Sequence, residues 1–155
     1  MPRERTPRKW QPREMQLLNE WLAANYADAV VMTRIRLGTL PDVETRTDLT
    51  YQQQRSIGVW RRWADAIVIT QRMLRVVEAK IRPDAGVVSQ LKLYLRLVPH
   101  TPELEPYLSR PRKGVIVYAV EDPQIRELAK EEGFELHYFR PDWIEPYLAE
   151  LYPRV

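Results

Sequence analysis

Five residues carry the chemistry open to this chain: Asp65 in WADAIVI, Glu78 and Lys80 in VVEAKI, and Gln90 and Tyr94 in QLKLY. Two carboxylates and a lysine on neighbouring strands suit metal-assisted hydrolysis of a phosphodiester. The cation offsets charge on the phosphate and acidifies a water, and a lysine beside it orients that water or offsets developing negative charge. Residues two apart on a strand point to one face, so Glu78 and Lys80 project together while Ala79 turns inward. Asp65 falls on the preceding strand. Level with Glu78 across a hairpin, it brings two carboxylates within reach of one divalent cation. Gln90 and Tyr94 lie one helical turn apart, where a following helix can dock beside them. On an exposed strand a Glu-x-Lys pair is ordinarily a surface ion pair. Here it is embedded in apolar residues behind Asp65, where two charges are costly unless they act.

The elements that must position these residues follow from periodicity. Leu17, Leu18, Trp21 and Leu22 recur at helical spacing over residues 14–26, behind Pro12 as a start signal. A β-branched run over 29–37, closed by Gly38, predicts the first strand. Residues 39–58 have no clean period and read as a loop. Two strands follow at 60–70 and 74–81, joined by Gln71, Arg72 and Met73 as an antiparallel hairpin. Pro83, Asp84 and Gly86 mark a turn. A helix over 87–98 then carries the stripe Val88, Leu91, Leu95 and Val98, with Gln90 and Tyr94 on the face beside it and Pro99 as its stop. Beyond a loop pinned by Pro102, Pro106 and Pro111 come a strand over 114–120 and a helix opened by Asp122 and Pro123 and closed at Gly133. A strand over 135–139 and a helix over 142–152 end the chain. The order αβββαβαβα, with a strand returning through a helical crossover, predicts an α/β fold with a mixed central sheet flanked by helices on both faces.

Composition narrows the chemistry. The chain has 155 residues, 45% of them apolar, enough for one core and too few for two ordinary domains. Residues 1–12 read as a basic arm and 13–155 as a single domain. No stretch approaches the roughly 20 apolar residues of a membrane helix, and the amino terminus lacks the apolar centre of a signal peptide, so a cytoplasmic protein without a membrane partner is expected. There is no cysteine, hence no thiolate nucleophile, no zinc-thiolate site and no iron–sulfur cluster. A metal must be held by oxygen ligands or by His100 and His137, and oxygen ligands favour Mg²⁺ or Mn²⁺. Neither histidine has a partner at metal-ligand spacing, which leaves both structural.

The net charge is only +3, but arginines gather in runs: Arg3, Arg5 and Arg8, then Arg61 and Arg62, then Arg110 and Arg112 with Lys113. Such runs are either solvated surface or a phosphate-binding face, for which guanidinium forks are suited. Arg34, Arg36, Arg61 and Arg62 are the candidates to line a nucleic-acid approach to the carboxylates. Trp60 and Trp63 either stack on bases or serve as core or hinge residues where the strand bearing Asp65 begins. The five glycines are scattered and form no phosphate-cradling loop.

In its order of helix, three-strand meander with Asp65 then Glu78-x-Lys80, helix and strand, residues 14–120 resemble the PD-(D/E)XK nuclease superfamily, whose fold is restriction-endonuclease-like. The Gln90-x-x-x-Tyr94 segment resembles the Q-x-x-x-Y motif of its RecB-type branch. The residue before Asp65 is Ala64 rather than the family's proline. By that resemblance Asp65, Glu78 and the backbone carbonyl of Ala79 bind metal, and Lys80 serves the attacking water. Gln90 and Tyr94 contact the DNA strand or steady the site. An acidic residue of the first helix adds a metal contact, for which Glu14 is the candidate, with Glu20 behind it. The implied activity is a Mg²⁺- or Mn²⁺-dependent deoxyribonuclease. The alternatives are an inactive nuclease-fold protein that binds DNA or assists assembly in a phage or mobile element, and an RNA nuclease on the same scaffold.

Overall fold

The structure, a computed structural model, describes residues 12–38 and 62–153, apart from the side chain of Arg62. Nearly all of the basic arm, the 39–58 segment, Trp60 and Arg61 lie outside the described residues. Within them the chain runs α1 (Pro12–Asn25), β1 (Val30–Leu37), β2 (Arg62–Ile69), β3 (Leu74–Lys80), α2 (Ala85–Leu97), β4 (Arg112–Tyr118), α3 (Pro123–Glu131), β5 (Glu135–Tyr138) and α4 (Ile144–Leu151). Two 3₁₀ segments, Val98–His100 and Pro102–Tyr107, occupy the stretch expected to be a proline-pinned loop. No helix among the described residues is long and apolar enough to cross a membrane.

The five strands form one mixed sheet in chain order, β1-β2-β3-β4-β5. The first three are antiparallel neighbours, as short connections allow, and β3-β4 and β4-β5 are parallel because a helix returns the chain each time. One core lies on the α2 and α3 side, where Val87, Leu91, Tyr94, Ile125 and Ala129 pack on Leu74, Val76 and Ile116. The second lies on the α1 and α4 side, where Leu17, Leu18, Trp21 and Ile144 cover Val77, Ala79, Val115 and Val117. The inner strands are apolar on both faces for this reason.

Local chemistry sets the helix ends. Asp84 caps α2 by accepting from Val87 N at 3.3 Å, and Asp122 caps α3 by accepting from Gln124 N and Ile125 N at 3.0 and 3.3 Å. Beyond α3, Gly133 takes φ +73° and its N–H donates to Lys130 O at 2.9 Å, which lets the chain reverse into β5. The inward face of α2 differs from the expected stripe. Tyr94 is buried with Val87, Val88 and Leu91, whereas Leu95 is only partly buried. A helix roofing the sheet buries a band wider than a single i, i+3, i+4 row.

Candidate functional site

The site begins with a fault in the sheet. Met32 and Ile35 of β1, three residues apart, both pack into the α2-side core, as do Ala64 and Ile67 of β2. A regular strand cannot place residues three apart on one face. The ladder runs from Thr33↔Ala66 to Ile35↔Ala64, and its register passes over Arg34 and Asp65. Each strand therefore turns over at that point, and Arg34 absorbs the turn with φ +53°, in the left-handed region. Asp65 stands at the inversion.

On its other side β2 pairs with β3 as far as Ala66↔Val77, so the next position sets Asp65 opposite Glu78. Side chains continue the ladder there. The Asp65 N–H donates to Glu78 Oε1 at 3.1 Å, and the Ala79 N–H donates to Asp65 Oδ2 at 3.0 Å. The two carboxyls are thus level across the hairpin and lodged between the strands. Glu78 is 3% exposed. Burial first, then the charge of Asp65, pushes its carboxyl up to about 9. At neutral pH, without a cation, Glu78 holds a proton.

Lys80 ends β3 and pairs with Glu14 of α1, Nζ to Oε2 3.6 Å. Burial raises the Glu14 carboxyl above its ordinary value, against the pull of Lys80, and Asp65 adds to the rise. Asp65, Glu78, Lys80 and Glu14 therefore form one electrostatic cluster drawn from α1, β2 and β3. Glu20 is used otherwise, accepting from Trp143 Nε1 at 2.6 Å. Among the described residues no three His, Cys, Asp or Glu side chains are grouped to hold a metal ion. The oxygen donors on offer are the Asp65 and Glu78 carboxyls.

Gln90 and Tyr94 come together with each other, Gln90 Nε2 donating to Tyr94 Oη at 3.3 Å. Their helix roofs the face toward which the alternation of Leu74 and Val76 directs Glu78. Gln90 is half-buried and Leu91 fully buried. Gln90→Ala is thus expected to cost less than about 1 kcal/mol of stability while slowing cleavage by about ten- to a hundredfold. Leu91→Ala is expected to cost about 2 to 5 kcal/mol. Denaturant melts and initial rates separate the two effects, and equal damage to stability from both variants would make Gln90 a packing residue.

Of the arginine candidates, Arg34 is exposed at the strand inversion and the Arg36 guanidinium lies 5.6 Å from the centre of the Trp63 ring. Arg61 and the side chain of Arg62 lie outside the described residues. Trp63 itself is 60% exposed. It is not a core residue, because the strand inversion turns it away from the core that its neighbour Ala64 enters. His137 packs edge-on to Trp21 at 5.3 Å, with Nε2 3.3 Å from Glu135 Oε2, and His100 is exposed at the end of a 3₁₀ segment. No protein-family model matches the chain, and no curated protein matches it in sequence.

Proposed function

We propose that this protein is a metal-dependent nuclease of the PD-(D/E)XK kind, hydrolysing phosphodiester bonds of DNA. The observation that carries the proposal is the carboxyl pair Asp65 and Glu78, held in the sheet by backbone N–H groups of the facing strands, with Lys80 following on β3. The elevated proton affinity of Glu78 comes first from burial and then from the charge of Asp65, against the pull of the Asp65 N–H and of Lys80. A divalent cation held by both carboxyls would relieve it, which fits an oxygen-only site for Mg²⁺ or Mn²⁺. Asp65 and Glu78 would hold the ion, with the Ala79 carbonyl as a backbone contribution. When bound, the cation supplies charge neutralisation on the phosphate and acidifies water.

The chain's own groups then divide the work. Hydrogen bonds from the backbone fix the Asp65 carboxylate and the Glu78 carboxyl in one orientation, so little reorganisation is needed at the moment of reaction. Lys80, freed from Glu14 or shared with it, orients a water and offsets charge developing on the phosphate. Tyr94, anchored in the core, positions Gln90 on the α2 side of the sheet.

A second reading has its own observation. The Lys80–Glu14 pair already neutralises the lysine, as expected of a nuclease-fold protein retained for binding alone. Labelled single-stranded, duplex, flap and junction DNA, together with RNA, incubated with Mg²⁺, with Mn²⁺ and with chelator, separates these possibilities. Cleavage of DNA that chelation abolishes is the expected result. Cleavage of RNA alone would move the substrate to RNA, and binding without any cleavage would favour the assembly role.

A further inference from the structure

We propose that Trp63, stacked by Arg36, is a platform for an unpaired nucleobase flanking the cleaved phosphate, so that the site selects single-stranded or locally opened nucleic acid. The proposal rests on the nuclease reading above and adds the form of the substrate.

Three observations converge. Trp63 is 60% exposed, although tryptophan is costly to leave in water and nothing in the α2-side core needs its ring. The exposure is built in. The inversion at Arg34 and Asp65 sends Ile35 and Ala64 into that core and so sends their neighbours Arg36 and Trp63 to the opposite face. That is the face on which α1 packs, and α1 delivers Glu14 to Lys80. One distortion thus serves both Asp65 and the aromatic ring two residues away, about 7 Å along the strand.

The pair has the chemistry of a base clamp. Arg36 and Trp63 are cross-strand partners, and the guanidinium 5.6 Å from the ring centre holds the indole by a cation–π contact. An indole presents a flat, sequence-tolerant surface to any base, and the adjacent cation attracts phosphate. In a duplex the bases are stacked on one another and offer no free face. A base reaches Trp63 only if it is already unpaired or is turned out of the helix.

The test pairs removal of the ring with removal of the base. Binding of a fluorescein-labelled single-stranded DNA oligonucleotide, and of its RNA counterpart, is measured by anisotropy in the Glu78→Ala background, so that nothing is cut. KM and kcat are measured separately with Glu78 intact. Trp63→Ala is expected to weaken binding to the single strand by about tenfold or more, with Trp63→Phe intermediate, and to raise KM more than it lowers kcat. An abasic residue is then scanned along the oligonucleotide. At one position it should weaken binding as much as Trp63→Ala does, and the two changes together should cost no more than either alone.

Full additivity at every position, or unchanged binding in Trp63→Ala, overturns the platform while leaving the nuclease reading intact if the protein still cuts. If the protein cuts nothing yet shows non-additivity, the platform stands and the nuclease reading falls. Should Trp63→Ala fail to fold, Trp63→Phe and Trp63→Leu carry the same comparison, since leucine fills space without offering a stacking face.

Discussion

Glu78→Gln is expected to abolish cleavage while making the metal-free protein more stable at pH 8. The amide copies the shape of the protonated carboxyl, so its oxygen can still accept from the Asp65 N–H and its nitrogen can donate to the Asp65 carboxylate. It cannot bind a cation as a carboxylate does, and the loss of rate is expected to be about a thousandfold or more. The gain in stability follows from linkage. In the folded protein Glu78 keeps its proton up to about 9, whereas in the unfolded chain it releases it near its ordinary value of 4.5. Between those values the folded state binds more protons than the unfolded, so wild-type stability is greatest below that window and falls as the pH climbs through it. The amide of the Glu78→Gln variant has no proton to lose, which removes that slope. Denaturant unfolding in chelator at pH 5, 7 and 9 checks both signs. A flat wild-type profile, or a Glu78→Gln variant less stable than wild type at pH 8, would contradict the buried protonated carboxyl.

Divalent metal is expected to displace one proton on binding, and its affinity to rise about tenfold per pH unit between roughly 6 and 8. The sign is the reverse of the stability trend. Raising the pH weakens the empty protein because it ionises a buried carboxyl, and strengthens metal binding because it creates the ligand. Titration with Mn²⁺ in two buffers of different ionisation enthalpy measures the released proton directly. At neutral pH, saturating metal should also raise the melting temperature by mass action, and that gain should vanish in Asp65→Ala. Tight binding with no proton release would place the ion away from Glu78.

Much of this arrangement was legible in the chain. The alternation in VVEAKI and the short Gln71-Arg72-Met73 connection suffice to bring Asp65 and Glu78 level, because a hairpin's register follows from its turn. The ends of α3 followed from Asp122, Pro123 and Gly133, whose effects are local, whereas Asp84 signalled only a turn and proves to be the cap of α2. The strand inversion leaves only a trace in the sequence: Met32 and Ile35, and again Ala64 and Ile67, are apolar pairs three apart within strands of period two. Each lapse alone resembles an ordinary irregularity. Only the matching of the two strands makes it a single fault, and pairing over that distance is invisible to a local pattern. For the same reason the sequence leaves Trp63 open between a stacking surface and a core or hinge residue, and its 60% exposure is settled only by the paired strands. Helical spacing sets Tyr94 beside the core stripe, whereas the structure buries it, because spacing shows direction but not how wide a face the sheet will cover.

The link between Glu20 and Trp143 gives the last helix a mechanical part in a site it does not enter. Glu20 accepts from the Trp143 indole 123 residues away, and the Arg13 guanidinium lies 5.5 Å from the ring centres of both Trp143 and Tyr147. Glu14 sits between these two anchor points of α1, so the helix that presents it to Lys80 is moored by the carboxyl-terminal end of the chain. α4 is thus a buttress. A chain shortened before Trp143 would keep Asp65, Glu78 and Lys80 on their strands but would lose both the tether on Glu20 and the buried Ile144, so the loosening of Glu14 from the cluster would come together with a loss of stability in the core beneath α1.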